Sequence, residues 1–156
     1  MVEWTSKIPQ GGKMNYSSLE HNDIAQLFTL MQKYKNSIGE SPLEDNQFAK
    51  LKSAIAEKRI EFFVAKENEN LCAMCSIVTV FSTFTCGSLG VFEDFYIAED
   101  YRGKGVARGL TQHVFNEMKT RGVAAIWVGC ADMDIDMYTS LGFDIKLGNL
   151  LTWSAQ

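Results

Sequence analysis

The sequence predicts an α/β (α+β) fold in which helices flank a mixed, mostly antiparallel central sheet. The chain has 156 residues, of which 46% are hydrophobic and 22% are charged, a balance typical of one globular domain with a substantial core. Some segments repeat apolar residues at steps of three and four, as helices do, and others are rich in β-branched and aromatic residues, as strands are. The predicted order is β-α-α-β-β-β-α-β-α-β within a single domain, 1–156, whose residues 1–12 form a short lead-in.

The first half of the chain is expected to form one strand, two helices and the next strand. A strand over 14–19 precedes a long helix that ends at Gly39. Residues 41–44 (SPLE) have the form of a capping box with proline at the first helical position, so we expect the second helix to begin there. A buried strand over 60–65 and a polar turn over 66–70 follow. Both helices are expected on one face of the sheet.

The second half is expected to complete the sheet around a third helix. Two long strands form an antiparallel pair, and a helix between Gly105 and Gly122 leads to a strand with both faces covered. A short helical turn and a last strand end the chain. The ranges are 71–84 and 89–97 for the strand pair, 124–128 for the covered strand, 135–140 for the helical turn and 143–153 for the last strand.

Charge and hydropathy limit the classes of partner. The net charge of −4 argues against a nucleic-acid-binding protein, which normally carries a basic surplus, and fits a cationic or neutral small molecule better. No apolar run approaches the roughly 18 to 20 residues that cross a bilayer, and the first residues lack the basic and then apolar order of a secretory signal. We therefore expect a cytoplasmic protein without membrane contact.

The four cysteines do not predict a metal or redox site. Cys72 and Cys75 are three residues apart in a predicted strand, so they would point to opposite faces. Cys86 and Cys130 do not provide the second closely spaced pair that a structural zinc site requires. Buried and chemically inert strand cysteines are the favoured interpretation, and no metal is expected.

The stretch 93–107 joins a strand with two carboxylates to a glycine-rich turn and then to a helix. The turn at 102–107 (RGKGVA) carries two cations and two glycines. Main-chain N–H groups at the start of a helix lack partners within the helix and bind anions. The turn fits neither the Walker pattern nor the dinucleotide fingerprint. A phosphate site therefore competes with a surface turn that only caps the helix.

The strand before this turn offers a carboxylate on each face. Strict alternation predicts two sets of side chains, Val91, Glu93, Phe95 and Ile97 on one face and Phe92, Asp94 and Tyr96 on the other. Whichever face is inner, a carboxylate that can accept a proton lies on it. The alternative is that both carboxylates are simply solvated near a strand edge.

These residues resemble the GNAT superfamily of N-acetyltransferases. Its phosphate-binding motif has the form Gln/Arg-x-x-Gly-x-Gly/Ala, which Arg102, Gly105 and Ala107 match. Residues 137–143 (MYTSLGF) resemble its Leu-Tyr-x-x-x-Gly-Phe segment. The predicted element order also matches, so the resemblance covers nearly the whole chain.

Within the superfamily, EDFYI at 93–97 followed by DYRG at 100–103 is most similar to the diamine (spermidine/spermine) acetyltransferases. By that similarity Glu93 would be the general base, acting directly or through water, Tyr138 the general acid, and Asp94 a substrate-binding residue. Acetyl-CoA would be the co-substrate and the primary amine of a small molecule the acceptor, which attacks directly in a ternary complex. A homodimer is common in this family.

The resemblance also implies which residues hold the cofactor. Main-chain groups of the strand would pair with the pantetheine arm like an added strand, and those of the turn would surround the pyrophosphate. The strand residues are Phe95, Tyr96 and Ile97, and the turn residues are Arg102, Gly103, Lys104, Gly105, Val106, Ala107 and Arg108.

The chain departs from the family pattern just before Tyr138. Families with this tyrosine often have an Asn and an Ala upstream of it, where this chain has Asp132, Asp134 and Asp136 at alternate positions. These acids could attract a cationic acceptor or ligate a metal, although a solvated loop is the commoner outcome.

Other interpretations stay open at the level of sequence. Tyr138 could pack in the core instead of acting in catalysis. His21 is interpreted as a loop or helix-start residue and His113 as an exposed helix position, because no Ser or Cys nucleophile motif accompanies them. The protein could be a non-catalytic acyl-CoA-binding sensor or interaction module, or its acceptor could be an amino acid, an aminoglycoside or a protein N-terminus.

Overall fold

Five strands form one sheet in a computed structural model that describes residues 12–155. The strands lie in sequence order, and all neighbours are antiparallel except the last pair, which is parallel. They are β1 (Met14–Ser18), β2 (Glu61–Glu67), β3 (Asn70–Ser82), β4 (Gly87–Ile97) and β5 (Ile126–Val128). The helices are α1 (Ile24–Ser37), α2 (Asp45–Ala56), α3 (Val106–Thr120) and α4 (Ile135–Leu141), with single 3-10 turns at His21–Asp23, Glu99–Tyr101 and Asp132–Asp134. The predicted α/β class with a mostly antiparallel sheet is confirmed.

The core has two parts, one on each face of the sheet. The cluster on the α3 side includes Phe63 of β2, Phe92 of β4 and Leu110 of α3. The cluster on the α1 side includes Leu27 of α1 and Phe62 of β2, and residues of α2 pack at its margin. Adjacent residues of β2 therefore enter opposite clusters, as the alternation of side chains along a strand requires. Both N-terminal helices share one face, as predicted.

The second helix begins three residues later than the capping box at 41–44 predicts. The side chain of Gln32 accepts a hydrogen bond from the Leu43 N–H at 3.0 Å and donates one to the Leu43 carbonyl at 3.1 Å. These bonds tie the segment before α2 to α1. The N–H of Glu44, which caps α2, donates to Gln47 Oε1 at 2.8 Å. The contact with α1 thus moves the start of α2 away from the position that the local capping box predicts.

The polar turn predicted over 66–70 is wrong at its start, because β2 continues to Glu67. Lys66 is only 5% exposed, and its ammonium lies 2.7 Å from a carboxylate oxygen of Asp23, which is also 5% exposed. Only Asn68 and Glu69 turn the chain, both with left-handed backbone (φ 47 and 67). Because Asp23 pairs with it, Lys66 can occupy a buried position in the strand.

On the C-terminal side of the sheet, the strand predicted over 124–128 forms as the shorter β5, and the last predicted strand is wrong. In the described residues no strand forms over 143–153, where Gly148 adopts φ 110 and so interrupts an extended chain. Strand β5 is short and is not covered on both faces, because Trp127 is 45% exposed. Within 12–155, no helix has both the length and the apolar character to cross a membrane.

Candidate active site

Strands β4 and β5 separate after Phe92. They pair only from Gly90 to Phe92, opposite Ile126 to Val128. From residue 93 to residue 97, the edge of β4 that faces away from β3 has no partner strand within the described part of the chain. Its main-chain donors and acceptors can therefore bind an extended ligand in the way that a further strand would.

A β-bulge interrupts β4 at the two carboxylates. Met74 pairs with Tyr96 and Ser76 with Glu93, so two residues of β4 lie opposite the single residue Cys75. Asp94 in the bulge has φ 52, a left-handed conformation that residues other than glycine rarely adopt. The bulge is local and depends on pairing with β3.

The bulge makes the strict alternation predicted for this strand wrong. Phe92 and Phe95 both lie on the α3 side, with ring centroids 5.3 Å apart, whereas Tyr96 belongs to the cluster on the α1 side. Glu93 follows Phe92 and faces the α1 side, and the side chain of Asp94 reaches the same side. The two carboxylates therefore share one face and do not divide between two.

Ser76 fixes the direction of the Asp94 side chain. The hydroxyl of Ser76, which is fully buried, donates a hydrogen bond to Asp94 Oδ2 at 2.8 Å. Asp94 is half-buried and Glu93 is exposed to solvent. The site thus combines one anchored carboxylate with one that is open to solvent.

Tyr34 of α1 lies above this pair of carboxylates. Its ring centroid is 6.2 Å from that of Tyr96. Burial, and then the negative charges of Asp94 and Glu93, raise the pKa of Tyr34 above its usual value. A neutral phenol and two carboxylates on one side of a strand form an environment that favours a cation.

The glycine turn has the conformation of an anion site at the start of α3. Gly103 and Gly105 have left-handed φ angles of 70 and 80. A Cβ atom at either position would meet no atom of residues 12–155 within 4 Å, so within this part of the chain the glycines are required for their torsion angles and not for space. Gly109 is the first residue whose N–H bonds back within the helix, to the Gly105 carbonyl at 3.0 Å. The four preceding N–H groups, at 105–108, donate to no backbone carbonyl of the described residues and are available to an anion.

The cations of the turn do not all point in one direction. Arg102 Nε donates to the Ile97 carbonyl at 3.0 Å, and its guanidinium lies 5.6 Å from the centroid of the Tyr96 ring. The Lys104 ammonium lies 5.6 Å from the centroid of the Tyr101 ring, beside a cavity of about 400 Å³. Arg102 therefore joins the turn to the end of β4.

Tyr138 of α4 packs against the aromatic side chains of the α3 side. Its ring centroid is 6.2 Å from that of Phe95 and 5.8 Å from that of Phe143. Burial is the main cause that raises the pKa of Tyr138 to about 12, and nearby Tyr34 and Asp134 add to it. The core-packing and chemical interpretations of this residue are compatible.

The cysteines and histidines lie partly elsewhere than the sequence predicts. Cys72 and Cys75 are buried in the same cluster on the α3 side, because a register shift between Ala65 and Lys66 leaves Cys72 as an extra residue that turns toward it. Both are free thiols, and burial raises the pKa of Cys72 to about 11 and that of Cys75 further. Such thiols are poor nucleophiles.

His113 is not an exposed helix position. It packs edge-on against Phe63, with centroids 5.9 Å apart, and its Nε2 atom is buried without a hydrogen-bond partner in the described structure. His21 lies exposed in the 3-10 turn before α1, as predicted. In residues 12–155, no group of three or more His, Cys, Asp or Glu side chains, including the acids at 132, 134 and 136, could hold a metal ion.

Two residues near the carboxylates were absent from the sequence-based site. Ser76 is a hydroxyl residue inside the apolar run of β3, and this break in the pattern is a signal that could have identified it. Tyr34 fitted the apolar stripe of α1, so nothing in the sequence distinguished it from a core aromatic.

The fold is similar to that of several solved acetyltransferases. An aminoglycoside acetyltransferase from an uncultured soil metagenomic sample has a TM-score of 0.81 and 12% identity, over 92% of this chain and 96% of that one. A predicted acetyltransferase from Clostridium acetobutylicum, solved with acetyl-CoA, has a TM-score of 0.73 and 23% identity, over 90% and 96%. Glucosamine-6-phosphate N-acetyltransferase from Arabidopsis thaliana has a TM-score of 0.73 and 17% identity, over 90% and 98%. Identities this low establish the fold alone.

The sequence itself matches a family model. No curated protein matches the chain, but the model of the acetyltransferase (GNAT) family matches residues 24–143. This region begins with α1 and includes the bulge, the free edge of β4, the glycine turn and all of α4. The finer resemblance to diamine acetyltransferases stays a prediction. The chain belongs to the acetyltransferase (GNAT) family.

Proposed function

We propose that the protein is an N-acetyltransferase that transfers the acetyl group of acetyl-CoA to a primary amine of a small molecule, polyamine-like or amino-acid-like. The acceptor attacks directly in a ternary complex. One observation carries most of the proposal: Glu93, an unpaired strand edge and a helix start with free N–H groups follow one another on a single segment. This order would align a base, a thioester and a pyrophosphate.

The cofactor part of the proposal rests on the free main-chain groups. The turn at 102–108 would hold the pyrophosphate, chiefly through its free N–H groups at 105–108, and the free edge at Phe95, Tyr96 and Ile97 would pair with the pantetheine arm. Bound acetyl-CoA supplies the carbonyl that the amine attacks. The Clostridium acetobutylicum structure, which was solved with acetyl-CoA, agrees with this choice of cofactor.

The acceptor part of the proposal rests on the shared face of the two carboxylates. A primary amine has a pKa near 10 in water, so it must lose a proton before its lone pair can attack. Asp94 would bind the ammonium form, and Glu93 would accept the proton directly or through a water. The exposure of Glu93 gives the proton a path to solvent.

Two groups would stabilise charge during the transfer. A main-chain N–H near Ile97 would donate to the oxygen that becomes negative as the amine adds. The hydroxyl of Tyr138, whose raised pKa keeps it protonated at neutral pH, would donate to the leaving sulfur. Cys72 and Cys75 would take no part, because their buried thiols stay protonated.

An assay of thiol release from acetyl-CoA tests this function. The acceptors are a panel of diamines, amino acids, aminoglycosides and peptides. Glu93→Gln should lower turnover at neutral pH by about a hundredfold or more, with little change in the Kd for acetyl-CoA. Glu69→Gln is the matched control, because Glu69 is an exposed acid in the turn between β2 and β3. Equal losses of turnover and cofactor affinity in Glu93→Gln would exclude the base role. A protein that binds CoA but releases no thiol with any amine would be a sensor and not an enzyme.

A further inference from the structure

Ser76 occupies a position where a hydroxyl needs a specific reason. It is fully buried in β3, and both of its neighbours, Cys75 and Ile77, belong to the core. Burying a hydroxyl without a hydrogen bond is unfavourable, whereas an apolar residue of similar size would be accommodated without one. The bond to Asp94 Oδ2 therefore explains why a hydroxyl is tolerated here.

The bond crosses the bulge and acts on its most unusual residue. Ser76 pairs with Glu93 in the sheet, and its side chain reaches the next residue along, Asp94, whose backbone is left-handed. It satisfies one carboxylate oxygen of Asp94. The other oxygen accepts no hydrogen bond from residues 12–155, and the charge of Asp94 acts on Tyr34 of α1. One oxygen is anchored, and the second is free for a ligand.

We propose that Ser76 is a positioning residue for acetyl transfer: it holds the Asp94 carboxylate toward the acceptor ammonium and maintains the bulge that brings Asp94 and Glu93 to one face. The inference rests on the proposed function. Because Ser76 is fully buried and bonds to Asp94, it would act on the acceptor only through Asp94. Removing its hydroxyl frees the carboxylate to rotate and lets the bulge relax.

A double-mutant cycle with thiol release as the readout tests the inference. The probe is whichever of 1,4-diaminobutane, lysine and kanamycin the wild-type protein acetylates with the highest kcat/KM. Ser76→Ala should raise the KM for that amine about tenfold, as expected for a lost hydrogen bond to a charged group, while the Kd for acetyl-CoA stays unchanged. In an Asp94→Asn background, Ser76→Ala should add little, because the group through which it acts is already altered.

Two further variants separate positioning from packing. Ser76→Cys keeps almost the same volume with a much weaker donor, so it should raise KM as alanine does and carries the test if Ser76→Ala does not fold. Ser17→Ala is the control, because the Ser17 hydroxyl is buried without a partner in the described structure, and its KM should equal that of the wild type.

The outcomes distinguish this inference from the proposed function. A wild-type KM in Ser76→Ala, or an equal rise in the Asp94→Asn background, overturns the role of Ser76 and leaves acetyl transfer standing. If the wild-type protein binds acetyl-CoA but releases no thiol with any of the three amines, the proposed function fails and the inference fails with it.

Discussion

Replacing Tyr138 with phenylalanine removes one hydroxyl and keeps the ring. The ring contacts with Phe95 and Phe143, at centroid distances of 6.2 and 5.8 Å, do not involve that hydroxyl. The free energy of unfolding should therefore change by less than about 1 kcal/mol. Any larger effect on thiol release then reports on chemistry.

The pKa of Tyr138 sets the size of that effect. At about 12, it lies well above the value of about 8.5 for an ordinary thiol, so complete proton transfer from Tyr138 to a CoA thiolate is unfavourable by more than about a thousandfold. A hydrogen bond donated to the departing sulfur meets no such barrier and contributes about 1.5 to 3 kcal/mol. Tyr138→Phe should therefore lower kcat by about ten- to a hundredfold and not by the larger factors of full acid catalysis.

Single-turnover thiol release at saturating acetyl-CoA measures this step directly. Tyr16→Phe is the control, since Tyr16 is a half-buried tyrosine of β1 that packs next to Gly109 of α3. It should keep the wild-type rate. An unchanged rate in Tyr138→Phe would remove Tyr138 from the reaction, and a loss of ten thousandfold would mean that the phenol transfers its proton completely.

Three more expectations follow from named contacts. Because the pKa of Tyr138 is raised from 10 to about 12, its contribution to stability is complete below pH 10 and is lost as the pH rises toward 12. The free energy of unfolding in urea should therefore fall less at alkaline pH in Tyr138→Phe than in the wild type, and parallel pH curves would contradict the shift. Gly105→Ala should weaken acetyl-CoA binding, measured by calorimetry, by about tenfold. Gly39→Ala, at a similar φ of 74, should lose comparable stability (about 1 kcal/mol) without affecting binding. Equal affinities of the two variants for acetyl-CoA would refute the anion site. Lys66→Met should lower the free energy of unfolding by about 3 kcal/mol, because it leaves the Asp23 carboxylate buried without its cation. The double variant Lys66→Met, Asp23→Leu should recover most of this stability. Unchanged stability in Lys66→Met would show that water reaches the ion pair.

The sequence predicts the features that depend on local signals. Gly105 and Gly39 mark left-handed positions at the ends of predicted helices, because torsion preference acts within a few residues. The bulge at Asp94 has no such signal. It depends on how β3 pairs with β4, and a residue other than glycine occupies its left-handed position.

The other errors have the same long-range origin. Lys66 looks like part of a polar turn until Asp23, more than forty residues away, neutralises it inside the fold. The capping box at 41–44 is a valid local signal, but Gln32 binds the backbone beside it and moves the start of α2. The assignment of Glu93 and Asp94 to different faces failed because alternation assumes a regular strand.

The unpaired edge of β4 has a consequence for the protein between turnovers. A strand edge with free N–H and C=O groups can pair with any extended chain. The edge that would bind an extended cofactor could therefore also pair with a strand from a second copy of this chain. Glu93 and Asp94 stand at the start of this edge, where their like charges repel the same edge of a second molecule. Under the proposed function, acetyl-CoA bound at this edge would also cover it against a second copy of the chain, and the two carboxylates would disfavour pairing there when the cofactor is absent.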